Sequence, residues 1–214
     1  MGTQERRERE RQEFRTKILE AASQLLTTEG YDAVTMRMIA QKIEYSVAAL
    51  YQHFENKETI FGELSRQVFR QMGSQFNAVL AGIEDPIERL RAAASLYIGF
   101  AVQCPQYFRL VLMTRLPRVA PTTPHNGEKD DPELIFFIPF RAAVEDAIRA
   151  DLLRPELSDD ELIAQALWGA IHGLATLEVQ AAFLSVWIDF RDLDVRRDFL
   201  VATLLRGIQR QPDS

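Results

Sequence analysis

An all-α fold is predicted for this chain by three observations. Apolar residues recur at three- and four-residue steps along most of the 214 residues, which marks helices with one buried face. No strand-period alternation survives for more than a few residues. Ten glycines and nine prolines are too few for the many turns of a β protein, and they sit mainly between the periodic stretches. The pattern divides the chain into a small unit over residues 1–56 and a larger helical domain over residues 57–214.

Residues 1–10 are nearly all polar and charged and read as a frayed arm running into helix 1. Phe14, Ile18, Leu19, Ala22, Leu25 and Leu26 then share one helical face. Gly30 ends that helix, where a left-handed residue costs least. Thr35 is an N-cap for a second helix with Met38, Ile39 and Ile43 on its apolar side. Ser46 caps a third, with Ala49, Leu50, Tyr51 and Phe54 available for packing. A long helix from Lys57 to about Ile83 carries Phe61, Leu64, Val68, Met72, Phe76 and Leu80. Asp85 and Pro86 open the next, since Asp caps and Pro suits the first turn. It runs to about Gln103, and Pro105 opens a short helix ending near Thr114. Residues 116–132 hold four prolines and read as the one long loop. Further helices are expected at about 133–151, 158–185 and 191–209.

The stretch from Thr35 to Lys57 forms two short helices broken by a tight turn, followed at once by an aromatic, polar and cationic cluster. Such a pair lays its second helix in the major groove of DNA while the first spans the backbone. Thr35 and Ser46 can offer hydroxyls and helix N-terminal amides to phosphates. Tyr51, His53 and Lys57 can reach the flanking backbone, and Gln52 or Tyr51 can touch base edges. Val47 and Ala49 suit a thymine methyl. Read without DNA, Tyr51 and Phe54 are core aromatics, His53 a surface histidine and Lys57 a solvated charge. The order Leu-Tyr-x-His-Phe-x-x-Lys directly after the turn favours the DNA reading.

Charge is the main objection. The net charge is −6, and residues 1–60 carry nine Lys and Arg against ten Asp and Glu. A DNA reader needs only a local cationic face, however. Arg6, Arg7, Arg9, Arg11, Arg15, Arg37, Lys42 and Lys57 can supply one. Apolar content of 47% and charged content of 26% are those of an ordinary globular protein. The single Cys104 excludes an intrachain disulfide and a cysteine-based zinc site, and fits a reducing cytoplasm. No metal or cofactor is expected. The charged stretch from Glu5 to Glu13 lacks the apolar core of a signal peptide. No apolar run approaches the roughly 20 residues needed to span a bilayer, so a cytoplasmic protein without membrane contact is expected.

Residues of about 14–60 resemble the N-terminal domain of the TetR family of one-component bacterial transcription regulators. The resemblance rests on Ile18-Leu19-x-Ala21-Ala22, Gly30-Tyr31, Val34-Thr35, Ile39-Ala40 and Leu50-Tyr51-Gln52-His53-Phe54-Glu55-Asn56-Lys57-Glu58. It implies an N-terminal three-helix helix-turn-helix domain joined to a C-terminal helical domain for ligand binding and dimerisation. It also implies that Thr35, Arg37, Ser46, Val47, Ala49, Tyr51, His53 and Lys57 fall where family members often contact DNA. The match departs at the turn, where Glu44-Tyr45-Ser46 replaces the usual Gly-Val-Ser. Without glycine a left-handed turn residue is mildly strained, and Tyr45 must find room in place of a smaller aliphatic. The apolar Val47-Ala48-Ala49 run offers few hydrogen bonds to bases, so base preference does not carry over. The arginine-rich arm can compensate by reaching phosphates or the minor groove.

Beyond residue 60 the resemblance is one of architecture, except at Trp168-Gly169-Ala170-Ile171-His172-Gly173. This resembles a Trp-x-x-x-His-Gly element of one TetR subfamily. Trp168 and His172 share a helix face. They either fill the core with a buried hydrogen bond or line an inducer pocket. Aromatics concentrate nearby at Tyr97, Phe100, Tyr107, Phe108, Phe136, Phe137 and Phe140, and a single helical core could absorb them all. By the resemblance, they enclose an apolar cavity for a small hydrophobic or aromatic effector. Phe100, Tyr107, Phe108, Met113, Phe137, Phe140, Trp168 and His172 are the candidates for it. Leu162, Ala166, Ile171, Ala175 and Val179, with Phe199, Leu200, Leu204 and Leu205, exceed what one core-facing stripe needs. The last two long helices are therefore expected to form a homodimer, which sets two recognition helices about one DNA turn apart on a near-palindromic operator. The resemblance implies a repressor released by its effector, while the sequence itself does not distinguish repression from activation.

Two rival classes are weaker. For an enzyme, no pair among His53, His125, His172 and Cys104 has metal-ligand spacing, and neither a glycine-rich phosphate loop nor a Gly-x-Ser-x-Gly turn is present. A helical protein-interaction module without DNA binding fits the acidic charge and the apolar Val47-Ala48-Ala49 run.

Overall fold

The computed structural model describes residues 3–114 and 137–210. Helix α1 spans Thr3–Glu29, α2 Met36–Lys42, α3 Val47–Tyr51 and α4 Lys57–Leu80. Helix α5 spans Pro86–Gln103 and α6 Pro105–Phe108. Helices α7 (Phe137–Arg149), α8 (Asp160–Val179), α9 (Ala181–Leu184) and α10 (Leu193–Ile208) complete an all-α architecture. Two compact units emerge from the packing, Met1–Val68 with Gln106–Gly127 and Phe69–Pro105 with Glu128–Ser214. The division falls inside α4 and again after Pro105, where the sequence pattern placed one boundary at residue 56. The long loop expected at 116–132, with His125 and Phe136 nearby, lies outside the described residues.

In the first unit the expected frayed arm is instead the first three turns of α1. Residues 3–13 contain no Gly, Pro or Val/Ile, and Arg6 pairs with Glu10 one turn on at 3.1 Å. Gly30 closes α1 at φ +78, its N–H donating to Leu26 O at 3.0 Å. Thr35 Oγ1 accepts from Met38 N and Ser46 Oγ from Ala49 N, each at 3.2 Å, so both expected N-caps form. Asn56 caps α4, Thr59 N donating to its Oδ1 at 2.8 Å. Ile18, Leu26, Ile39, Leu50, Ile60 and Phe61 are fully buried in one core. Leu110 joins that core, and the Tyr107 hydroxyl bonds Ser23 Oγ. After α6 the chain continues as a π-helical turn over Arg109–Met113 instead of the α-helix expected to Thr114.

The second unit packs α5 against α7 and α8, with α10 against both α5 and α8. Asp85 Oδ1 accepts from Ile87 N at 2.8 Å and from Glu88 N at 3.4 Å, capping α5 ahead of Pro86. Leu90, Ile98, Ala143, Val144, Ala164, Leu167, Ile171 and Leu205 form its interior. Arg89 on α5 reaches Asp146 on α7 at 2.6 Å. The segment after α7 is pinned to the end of α10, Arg154 N donating to Ile208 O and Arg210 N to Leu152 O, both at 2.9 Å.

Helix α8 differs from expectation twice. It stops at Val179 and does not run to residue 185. Gln180 leaves helical geometry there, its N–H shared between Thr176 O and Leu177 O at 3.2 Å each. An 18-residue window within its 20 residues also reaches a mean hydropathy of 1.3, so the helix is long and apolar enough by composition to cross a bilayer. Ile163, Ala164, Leu167, Ile171, Leu174 and Ala175 are nonetheless buried inside the unit, while Leu162, Ala166, Gly169, Gly173 and Leu177 form an exposed stripe.

Candidate nucleic-acid interface and sensing cluster

The recognition element is α3, held by a turn that the sequence makes costly. Glu44 occupies the left-handed region at φ 61, a conformation that disfavours any residue with a Cβ. Tyr45 finds its room on α1, its ring 4.6 Å from that of Phe14 and its remainder 49% exposed. Leu50 anchors α3 in the core. This leaves Ser46, Ala48, Tyr51 and Gln52 exposed, while Val47 and Ala49 are half-buried and Val47 packs partly on the core. The exposed small apolar group of the Val47-Ala48-Ala49 run is therefore Ala48, in place of the expected Val47 and Ala49. Thr35 and Arg37 are exposed at the start of α2.

Lys57 and Arg15 face inward. The Lys57 ammonium donates to Tyr31 O and Val34 O at 3.1 Å and to Asp32 O at 3.4 Å, and lies 4.5 Å from the Tyr31 ring centre. All three N–H groups are thereby engaged in fastening the segment between α1 and α2. The Arg15 guanidinium sits 4.2 Å over the Phe54 ring, donates to His53 O at 2.7 Å and pairs with Glu63. His53 lies edge-on to Phe14 at 4.8 Å, and its buried Nδ1 has no hydrogen-bond partner among the described residues. Burial, then Arg11 and Arg15, hold its pKa below the usual histidine value, so it is a neutral ring at pH 7. The exposed cations flanking α3 are Arg37 and Lys42 on α2 and the outer arginines of α1.

In the second unit, Trp168 and His172 on α8 stack at 5.2 Å with their planes 30° apart. Phe137 meets Trp168 edge-on at 6.3 Å, as does Tyr97 at 6.4 Å. The Tyr97 hydroxyl and His172 Nδ1 are 2.7 Å apart. Burial drives the Tyr97 pKa far above its usual range and lowers that of His172. The phenol therefore keeps its proton, and its hydroxyl is hydrogen-bonded to an imidazole held toward the neutral form. One turn on, Thr176 Oγ1 is buried without a partner among the described residues. Phe100 and Phe140 are buried in the same unit. Tyr107, Phe108 and Met113 belong to the first unit, with Phe108 fully buried and Met113 exposed. The eight effector candidates are thus divided between the units. Tyr97, absent from that set, shares the cluster, and Thr176 lies one turn beyond His172 on α8. Thr176 carries a signal in the sequence, being a hydroxyl four residues after His172 on the same helix face.

A helical hairpin capped by Thr35 and Ser46, projecting the short helix α3 from a three-helix core, defines a helix-turn-helix protein with an appended helical domain. The profile of the bacterial regulatory proteins of the tetR family matches residues 18–64, and that of the tetracyclin repressor-like C-terminal domain matches residues 90–204. The chain belongs to the TetR family of transcriptional regulators. Among curated proteins it is similar to the nucleoid occlusion factor SlmA of Vibrio vulnificus, 33% identical over 98 residues, or 45% of this chain and 50% of that one. The chain spans about half the length of the curated relatives it matches. A TetR-family regulator from Pectobacterium atrosepticum has a similar fold, with a TM-score of 0.67 at 21% identity, covering 95% of this chain and 98% of that one. The ketosteroid regulator KstR2 of Mycobacterium tuberculosis superposes with a TM-score of 0.62 at 20% identity, covering 92% and 95%.

Proposed function

We propose that this protein is a cytoplasmic homodimeric repressor that leaves a near-palindromic operator when a small hydrophobic or aromatic effector binds its C-terminal domain. The observation that carries the DNA half is α3, capped by Ser46 with Tyr51 and Gln52 exposed beside Arg37. In this reading Tyr51, Gln52 and Ala48 meet base edges. Thr35, Ser46 and Arg37 hold phosphates, and Lys57 fixes the frame that aims them. Val47, Ala49 and His53, half-buried, shape the helix more than they touch DNA. The protein is a binder, and no catalytic role is assigned to any residue.

The sensing half rests on the Tyr97–His172 pair set among Trp168 and Phe137. An apolar ligand with one or two hydrogen-bonding groups suits such a wall, and Thr176 Oγ1 offers it an unpaired hydroxyl. A regulator named for ketosteroids among the structural neighbours agrees with that chemistry. Dimerisation is assigned to α8 and α10, whose exposed Leu162, Leu177, Val195 and Phe199 have no other cover among the described residues.

Retardation of the DNA flanking its own gene tests the DNA half. Affinity should fall steeply with salt, the logarithmic slope tracking the phosphates neutralised. The absence of any complex at low salt would instead favour the protein-interaction module. The identity to nucleoid occlusion factors supports a second reading, a DNA binder that acts on the nucleoid. Genome-wide occupancy separates the two: few sites beside genes for a repressor, many dispersed sites for a nucleoid protein.

A further inference from the structure

Between α9 and α10 the chain exposes three consecutive large apolar side chains. Val186 is 77% exposed, Trp187 78% and Ile188 48%. The backbone beneath them is well tied. Trp187 N and Ile188 N both donate to Leu184 O, at 2.9 and 3.0 Å, and Ser185 N donates to Ala181 O at 2.8 Å. Phe190 lies under the Arg196 guanidinium at 4.9 Å, and Arg196 pairs with Glu178 of α8 at 2.5 Å. The loop is thus fastened to α8 and α10 while its apolar edge points away from them. A shallow groove of about 600 Å³ runs along it, where Val186, Trp187, Ile188 and Phe190 are joined by the polar Ser185 and Asp189.

We propose that this edge is a clasp for a second copy of the chain, with Trp187 as its anchor. The inference rests on the dimer reading given above and extends it to a segment outside the two long helices. Area argues for the second copy. The four exposed side chains of α8 and α10 supply on the order of 400 Å² of apolar surface, short of the roughly 450–520 Å² that is the apolar share of the ~800 Å² each partner of a standard stable interface buries. Val186, Trp187 and Ile188 supply about as much again. Continuity argues the same way, because the loop leads directly into α10, where Val195 and Phe199 lie four residues apart on one exposed face. A two-fold pairing presents the same patch from both copies. A desolvated tryptophan at its centre is the residue type that most often dominates such contacts.

The chain has two tryptophans, so Trp168→Phe leaves Trp187 as the sole emitter in the full-length protein. On a dilution series its emission should shift to the blue in step with the doubling of mass seen by sedimentation. Trp187→Ala should raise the dimer dissociation constant roughly 30-fold or more, and Trp187→Tyr should recover part of that loss. A dimer in which Trp187 keeps its water-exposed emission, with the alanine variant within two-fold of wild type, overturns the clasp and leaves α8 and α10 as the interface. The two-helix reading has its own arm: a Phe199→Asp variant that dimerises as tightly as wild type removes that reading while the clasp stands. A blue shift seen only with phosphatidylglycerol vesicles, without change of protein mass, would assign the loop to a membrane and also overturn the proposal.

Discussion

Lys57 and Arg37 look alike in the sequence, two cations beside a recognition helix, and the fold gives them different work. Lys57 spends its ammonium on three carbonyls of the segment entering α2, whereas Arg37 is exposed. Lys57→Ala should therefore cost about 1–3 kcal/mol of stability, since hydrogen bonds to a charged donor are lost and buried carbonyls are stranded; urea unfolding measures it. Arg37→Ala should leave the urea midpoint in place, weaken DNA binding alike across sequences and lower the salt slope by about one. Equal slopes for Arg37→Ala and wild type would remove Arg37 from the interface. Nothing local to the Lys57 motif distinguishes these fates, because the carbonyls that hold it lie 23 to 26 residues earlier in the chain. The Trp168–His172 pairing follows from the four-residue spacing alone; Tyr97 stands among the nearby aromatics in the sequence, but nothing local marks its hydrogen bond to His172, 75 residues downstream. His172 also sets a pH response. Its folded pKa is lowered by burial, so below the ordinary value of about 6.5 the unfolded chain binds a proton that the native state refuses. Stability is full above that value, declines as pH falls below it, and levels off below the folded pKa. His53 acts in the same direction. His172→Gln should flatten part of the decline in a series of urea midpoints from pH 7 to 5, and an unaltered series would contradict a neutral His172.

Among the elements, the turn between α2 and α3 carries the clearest strain. Glu44 at φ 61 stands where only glycine is free of the Cβ penalty, about 1–2 kcal/mol for a left-handed residue. Glu44→Gly should stabilise the protein by up to about 1 kcal/mol, the gain being reduced by the entropy glycine loses on folding. A lower thermal midpoint for that variant would mean that Glu44 makes a compensating contact. The extended start of α1 is a second element with a consequence. Its exposed arginines ride on a continuous helix, so truncating residues 3–10 should weaken operator binding without loss of the core packed from Ile18 onward. Unchanged affinity would show that the turns before Arg11 do not reach DNA. Caps made most elements readable, since Thr35, Ser46, Asp85 and Gly30 each act locally. The π-turn at Arg109–Met113 and the stop at Gln180 had no such marker. Leu110 is drawn into the first core, and tertiary packing of that kind overrides a residue's local preference.

For the whole molecule, an acidic chain of net charge −6 has to approach a polyanion, and the exposed Arg37 and Lys42 on α2 with the arginines at the start of α1 offer it a local cationic face. Such a protein gains little from long-range steering, and its DNA affinity should depend strongly on two headpieces binding at once. Dimerisation and DNA binding are therefore expected to fall together in Phe199→Asp. Control by an effector requires that the ligand favour one arrangement of the dimer over another by about 1–3 kcal/mol, the usual range of allosteric coupling. Footprinting of the purified full chain on the DNA flanking its own gene, with and without a series of steroid-like and aromatic effectors, tests these links together. An effector-released homodimer should protect two half-sites about one helical turn apart, both freed by the same ligand. An unprotected flank at low salt, or protection that no such ligand alters, would contradict this reading.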